Sequence, residues 1–192
     1  MPSRALRNWQ TRSRKVLDEV EAAHAVVGGG RGARGFARQQ INQAYVVLLS
    51  SQFQRFCRDL YDESVDHLVG QPEHEPMNPL VRELLARSRR LNRGNASPAN
   101  IGADFERLGV SFWDEVRRRN VHNLSRQRKL EELNSWRNAI AHQDFSDPAF
   151  EGVERVSLAQ VRTWRSACDA LAVEFERMLR LYLHTFFGTD PW

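Results

Sequence analysis

Apolar residues recur along this chain at three- and four-residue steps, and nowhere do they alternate with the period of two that a half-buried strand requires. Tyr45, Leu48, Leu49, Phe53, Phe56, Leu60 and Leu68 trace the core-facing side of a helix predicted over about 36–69. Leu158, Val161, Trp164, Cys168, Leu171, Phe175, Met178, Tyr182 and Phe186 trace another over about 158–187, opened by the capping box Ser157-x-x-Gln160. Leu6, Trp9, Val16, Leu17, Val20 and Ala23 give a first helix over about 5–27. Gly70 and Pro72 stop the long helix, and Asn78-Pro79 opens one to about residue 91. Ser97-Pro98 starts a short helix closed by Gly109, and Ser111 caps another through about residue 118. A helix over about 124–142 follows, with its exit at Ser146-Asp147-Pro148. The prediction is an all-α fold, a bundle of the two long helices and the 124–142 helix joined by short connecting helices. Residues 28–35, rich in Gly and Arg, divide the chain into an N-terminal helix with its linker (1–35) and a helical domain (36–192). This stretch lacks the Gly-Lys-Ser/Thr ending of a phosphate-binding loop. A flexible linker is expected, with an RNA-tethering Gly/Arg segment as the sharper alternative.

The 124–142 helix carries the candidate chemistry. At 100° per residue, Leu133, Trp136 and Ile140 fall within about 60° of one another and form a core stripe. Asn134, Arg137, Asn138 and His142 spread over the neighbouring flank, with small Ala139 and Ala141 leaving room for an approaching partner. The spacing Arg-x4-His is weak by itself: roughly one such pair is expected by chance in so arginine-rich a chain. A second occurs at Arg117 and His122, but it stands before a predicted helix break. A structural alternative exists for the first pair as well. His142 would be favourable as a cation at a helix C-terminus, and Arg137 could pair with Asp144.

Charge sharpens the picture. The net charge is +4, unevenly placed. Residues 1–38 hold eight basic and three acidic side chains, and the run 117–129 holds six basic and none acidic. Those six are Arg117, Arg118, Arg119, Arg126, Arg128 and Lys129, and such clusters suit a polyanion unless they are only a solvated face. Lys15 and Lys129 are the only lysines. Arginine therefore carries the positive charge, in the form that grips phosphate with two donors. Asp59, Asp62, Glu63 and Asp66 read as a solvated acidic face, the commoner outcome for acidic residues at mixed spacing, rather than as a metal site. No metal or other cofactor is expected. Cys57 and Cys168 occupy apolar helical positions and are expected as buried, reduced thiols. No secretory or membrane segment is visible, so a cytoplasmic protein is expected.

The stretch Trp136-Arg-Asn-Ala-Ile-Ala-His142 resembles the R-N-x-x-x-H signature of HEPN domains, all-helical modules found in many RNA-cutting toxins and phage-defence proteins. The segment 94–109 (Gly-Asn-Ala-Ser-Pro-Ala-Asn-Ile-Gly-Ala-Asp-Phe-Glu-Arg-Leu-Gly), followed by Ser111-Phe-Trp113, resembles the RiboL-PSP subgroup. The resemblance covers roughly residues 36–187. It implies an endoribonuclease acting without metal, as a toxin or antiviral defence effector, with the site completed by a second copy in a homodimer. RNA is the implied partner, alongside a cognate antitoxin or defence-system protein. Some HEPN domains have lost activity and serve in RNA or nucleotide binding or in dimerisation, which is the alternative. In one toxin–antitoxin subgroup a Tyr that follows the His is modified by the antitoxin; Gln143 stands there in this chain.

The residue types suit the implied reaction. RNA carries its own nucleophile, the 2′-hydroxyl. His142 can take or give a proton near neutral pH. Arg137 can hold phosphate oxygens at any relevant pH. Asn138, one turn before His142, could orient the imidazole or donate to the phosphate.

Overall fold

The computed structural model describes residues 1–27, 33–70, 78–87, 89–150 and 152–192. It is all-α, and no strand occurs among the described residues. The helices are α1 (Arg4–Asn8), a π-helical segment (Trp9–Ser13), α2 (Arg14–Val26), α3 (Ala33–Val69), α4 (Asn78–Ala86), α5 (Pro98–Phe105), α6 (Phe112–Arg119), α7 (Asn123–His142) and α8 (Leu158–Phe187). Helix α3 is the spine and packs against α1, α2, α7 and α8, while α7 and α8 also pack on each other. Their predicted stripes form one core: Tyr45, Leu49, Phe53 and Leu60 meet Leu133 and Trp136 of α7 and Trp164, Leu171 and Phe175 of α8. Phe175 is the hub of an aromatic cluster, 4.8 Å from Phe112, 5.4 Å from Trp113 and 6.0 Å from Phe53 between ring centroids.

Several expectations change. The linker expected over 28–35 is shorter at its C-terminal end, because α3 already begins at Ala33; residues 28–32 lie outside the described residues. The N-terminal segment is not a separate appendage either. Leu6, Trp9 and Leu17 belong to the same core as the rest of the chain. Its start is held from across the fold: the Glu63 carboxylate accepts from the backbone N–H groups of Arg4 (2.8 Å) and Ala5 (2.6 Å), donors a helix N-terminus leaves without partners. Glu63 is therefore a capping group, not a member of a solvated face. The other carboxylates of that patch are engaged too: Asp59 with Arg55, Asp62 with Arg89, and Asp66 with Arg82.

The helix predicted to reach residue 91 stops at Ala86. Arg89 is extended and nearly buried, bonded to Asp62 and lying over the Tyr61 ring. The buried carboxylate of Asp104 accepts from the N–H groups of Arg90 (2.7 Å) and Leu91 (2.8 Å), capping a 3-10 turn. These tertiary anchors outweigh the local helix preference. Ser111 makes no side-chain cap to α6. Ser157 does cap α8 through the Gln160 N–H, but the Gln160 side chain turns to Glu132 at 2.9 Å, so only half of the capping box forms. Both cysteines are buried and unbridged, and burial pushes each thiol well up. Among the described residues, no helix is long and apolar enough to cross a membrane.

Candidate functional site

Helix α7 buries Leu133, Trp136 and Ile140 as their spacing predicts, which turns Arg137, Asn138 and His142 outward on one flank. Arg137 is half-buried; Asn138, Ala141 and His142 are exposed. Ala139, expected beside Ala141 as an open approach, is in the core instead, so Ala141 alone leaves the gap. Asn134 is also lost to the flank. It is buried, accepting from Ser50 Oγ of α3 (3.2 Å) and donating to the carbonyls of Ala96 (3.0 Å) and Leu130 (2.8 Å). It ties α3, the loop before α5 and α7 together.

Arg137 keeps its charge uncompensated. Its Nη1 donates to Asn138 Oδ1 at 3.0 Å, and among the described residues no carboxylate pairs with it. Asp144, the acid that could have paired with it, is engaged elsewhere. Its carboxylate accepts from the Ser146 N–H at 3.0 Å, and the Ser146 hydrogen bonds, with a smaller contribution from His142, hold it below the ordinary carboxylate range. His142 ends α7, and Gln143 just past it takes the left-handed conformation (φ 52°) without being glycine. That conformation costs a non-glycine residue about 1 kcal/mol. It is held by Gln143 Nε2 on the Ile140 carbonyl (2.7 Å) and by the Asp144 N–H on the Ala139 carbonyl (3.0 Å).

The loop before α5 supplies residues that composition and spacing did not single out. Asn95 Nδ2 donates to the same Asn138 Oδ1, at 3.1 Å. Asn95 is itself fixed: its Oδ1 accepts from the Ser97 N–H (3.2 Å), and Asn100 Nδ2 donates to its carbonyl (2.9 Å). Gln54 of α3 holds the carbonyls of Leu91 and Gly94 at 2.7 Å each. Gly94 has to be small, since a Cβ there would stand 2.8 Å from Asn100 Nδ2. The signal was the Asn-x-Ser-Pro order, an Asx turn running into a capped helix.

The basic run does not act as one surface. Arg117 pairs with Asp114 at 2.6 Å and Arg118 pairs with Glu115, while Arg119 is exposed. His122 is the residue preceding α7, so the Arg117–His122 pair spans a turn between helices and makes no site. On α7, Arg126 lies within about 20° of Arg137 around the axis and about 16 Å along it, while Arg128 is opposite Arg137 and within about 40° of His142. Arg126 is held by a neutral amide oxygen, Asn123 Oδ1, at 2.7 Å. Arg128 lines a groove with Glu131, Glu132, Trp136 and Phe150. Lys129 is half-buried, about 80° from Arg137. Among the described residues, no group of three or more His, Cys, Asp or Glu side chains gathers as a metal site would need.

No family model, no curated protein and no solved structure matches the chain.

Proposed function

We propose that the chain is a HEPN-like endoribonuclease that cuts RNA by attack of the 2′-hydroxyl on the adjacent phosphate, at a site completed by a second copy. The observation that carries the reading is the state of Arg137: a guanidinium held by a neutral amide, with no carboxylate, on the same helix as an exposed imidazole five residues further on. Such a group keeps its net charge and its remaining donors for phosphate oxygens. His142 takes the 2′-hydroxyl proton or delivers one to the leaving 5′-oxygen; one imidazole per chain makes half of that pair, and a second copy brings the other. Exposed Ala141 leaves room for this approach. Beside it the partly open apolar strip Ala44, Val47, Leu48 and Ile140 gives a partner something to bury. A stable interface of this kind covers on the order of 1,600 Å² in total. The biological role follows as that of a toxin or phage-defence effector, restrained by an antitoxin or defence-system partner.

The test is incubation of the purified protein with tRNA and mRNA in EDTA, followed by end-group analysis. The expected products carry a 2′,3′-cyclic phosphate and a 5′-hydroxyl, and a substrate with 2′-deoxyribose at the cut site stays whole. Cleavage that requires added Mg²⁺, or that proceeds at full rate in a proven monomer, overturns the assignment. Binding of RNA with no cleavage under any condition leaves the non-catalytic HEPN module.

A further inference from the structure

The side-chain amides of Asn95 and Asn138 form a relay whose direction is fixed at both ends. At one end stands the Arg137 guanidinium, which can only donate, so the atom of Asn138 facing it must be the oxygen. At the other end stands the Ser97 backbone N–H, also a donor only, so the atom of Asn95 facing it must be the oxygen. Between them Asn95 can offer Asn138 nothing but its NH2, which is the contact observed at 3.1 Å. The two constraints agree. Asn138 Oδ1 is thus occupied from two sides, and the NH2 of this exposed side chain makes no hydrogen bond among the described residues.

We infer that Asn95 is a positioning residue that locks the Asn138 amide with its NH2 outward, giving the site a face made of donors and matched to an RNA phosphate. This inference rests on the ribonuclease reading for its ligand, but the direction of the relay stands on the hydrogen bonds alone. A phosphate oxygen reaching the flank meets the free donors of Arg137 and the NH2 of Asn138, and no carboxamide oxygen that would repel it. The loop that holds Asn95 is rigid for the same purpose: Gln54, Asn100 and the Ser97 turn all fix it.

The discriminating variant is Asn95→Asp. Aspartate keeps the turn, because one oxygen still accepts from the Ser97 N–H, but it has no NH2 to give. The Asn138 amide can then donate inward to the new carboxylate only by rotating and releasing Arg137, and in that state it presents its oxygen to the site. Nuclear magnetic resonance reads this directly. The Asn138 side-chain NH2 exchanges quickly with water in the wild type and slowly in Asn95→Asp, where one proton is bonded inward. Equal exchange rates in the two proteins overturn the lock, whatever the ligand.

Binding of a 2′-O-methyl RNA oligonucleotide, which cannot be cleaved, supplies the functional reading. Asn95→Asp weakens it about tenfold, the worth of a lost charge-assisted donor, and Asn95→Ala only two- to threefold. Melting temperatures run the other way, with Asn95→Ala below Asn95→Asp. A merely structural Asn95 puts Ala below Asp in both measurements and overturns the proposal. Repeating the titration at high salt separates the rotated amide from the added charge, since long-range repulsion is screened and the loss of a donor is not. If Arg137→Ala binds the oligonucleotide as tightly as the wild type, the RNA reading of the flank falls, and the exchange measurement still decides the lock.

Discussion

Two arginines of this protein sit in opposite electrostatic settings. Arg165 on α8 is nearly buried where α2 crosses it. It is bonded to Asp18, reaches Glu21 at 3.7 Å and donates to Tyr45 Oη at 2.9 Å. Arg162, beside it, also donates to Glu21, at 2.7 Å. Arg137 on α7 has an amide oxygen and nothing negative. The first arrangement spends the guanidinium's charge inside the protein, and its function is to dock the N-terminal helices. The second holds the side chain in place while leaving the charge for something from outside. Arg126, on the same flank and held by Asn123, repeats the second pattern; Arg117 and Arg118, paired with carboxylates, repeat the first.

This contrast is broken most sharply by removing each cation. Arg137→Ala and His142→Ala should each lower the RNA cleavage rate by roughly 10² to 10⁴, with the melting temperature unchanged, because neither side chain belongs to the core stripe. Rate and melting curves on the same preparations check this, and an active His142→Ala protein would sink the assignment. Arg165→Ala should do the reverse. It takes the donor from Asp18 and Tyr45, while Glu21 keeps Arg162, and should cost about 1 kcal/mol, or about 2–4 °C of melting temperature, with little effect on any residual activity per folded molecule.

The basic run offers a finer cut. Arg126→Ala should flatten the salt dependence of RNA binding by about 0.7 log units, the share of one single-strand phosphate contact, while Arg128→Ala, in a groove shared with Glu131 and Glu132, leaves the slope as it is. Equal slopes for both variants would mean that the neighbouring carboxylates do not matter.

The smallest effect concerns pH. His24 of α2 is buried and accepts from Arg38 Nε at 3.2 Å. Burial lowers its pKa from the ordinary 6.5, and the charges of Arg38 and Arg162 lower it further against a raising contribution from Glu21. A folded value below the unfolded one means that the unfolded chain binds the proton more readily. This contribution to stability is therefore complete above about pH 6.5 and is lost as the pH falls through the folded value. His24→Gln, which keeps an acceptor for Arg38, should melt with a flatter pH dependence between pH 7.5 and 5.5 than the wild type.

Much of the scaffold was legible in the sequence, because it is written in single side chains at helical spacing. The stripes of α3, α7 and α8 predicted the core, and the outward placement of half-buried Arg137 and exposed Asn138 and His142 follows from Leu133, Trp136 and Ile140. What escaped notice depends on pairs far apart in the chain. Glu63 looks like any surface acid until α1 starts over it. Arg89 gives no sign that Asp62 and Tyr61 will stop a helix. Asn134 and Asn138 are alike in sequence and differ only because Ser50 and Ala96 surround one, while the other is reached from outside by Asn95. Charge runs misled for a different, local reason: the acids that pair with Arg117 and Arg118 lie one turn back, just outside the run, and the partner of Arg126 carries no charge.

The buried amide of Asn134 has a kinetic consequence. It bonds at once to the middle of α3, to the carbonyl of Ala96 in the loop and to the α7 backbone one turn back. The wall and the floor of the site therefore cannot loosen separately: opening the loop strands a buried amide, at a cost of about 1–3 kcal/mol. Backbone amides of 96–101 and of 134–140 should accordingly lose hydrogen-exchange protection together, in one cooperative opening that also reaches Ser50.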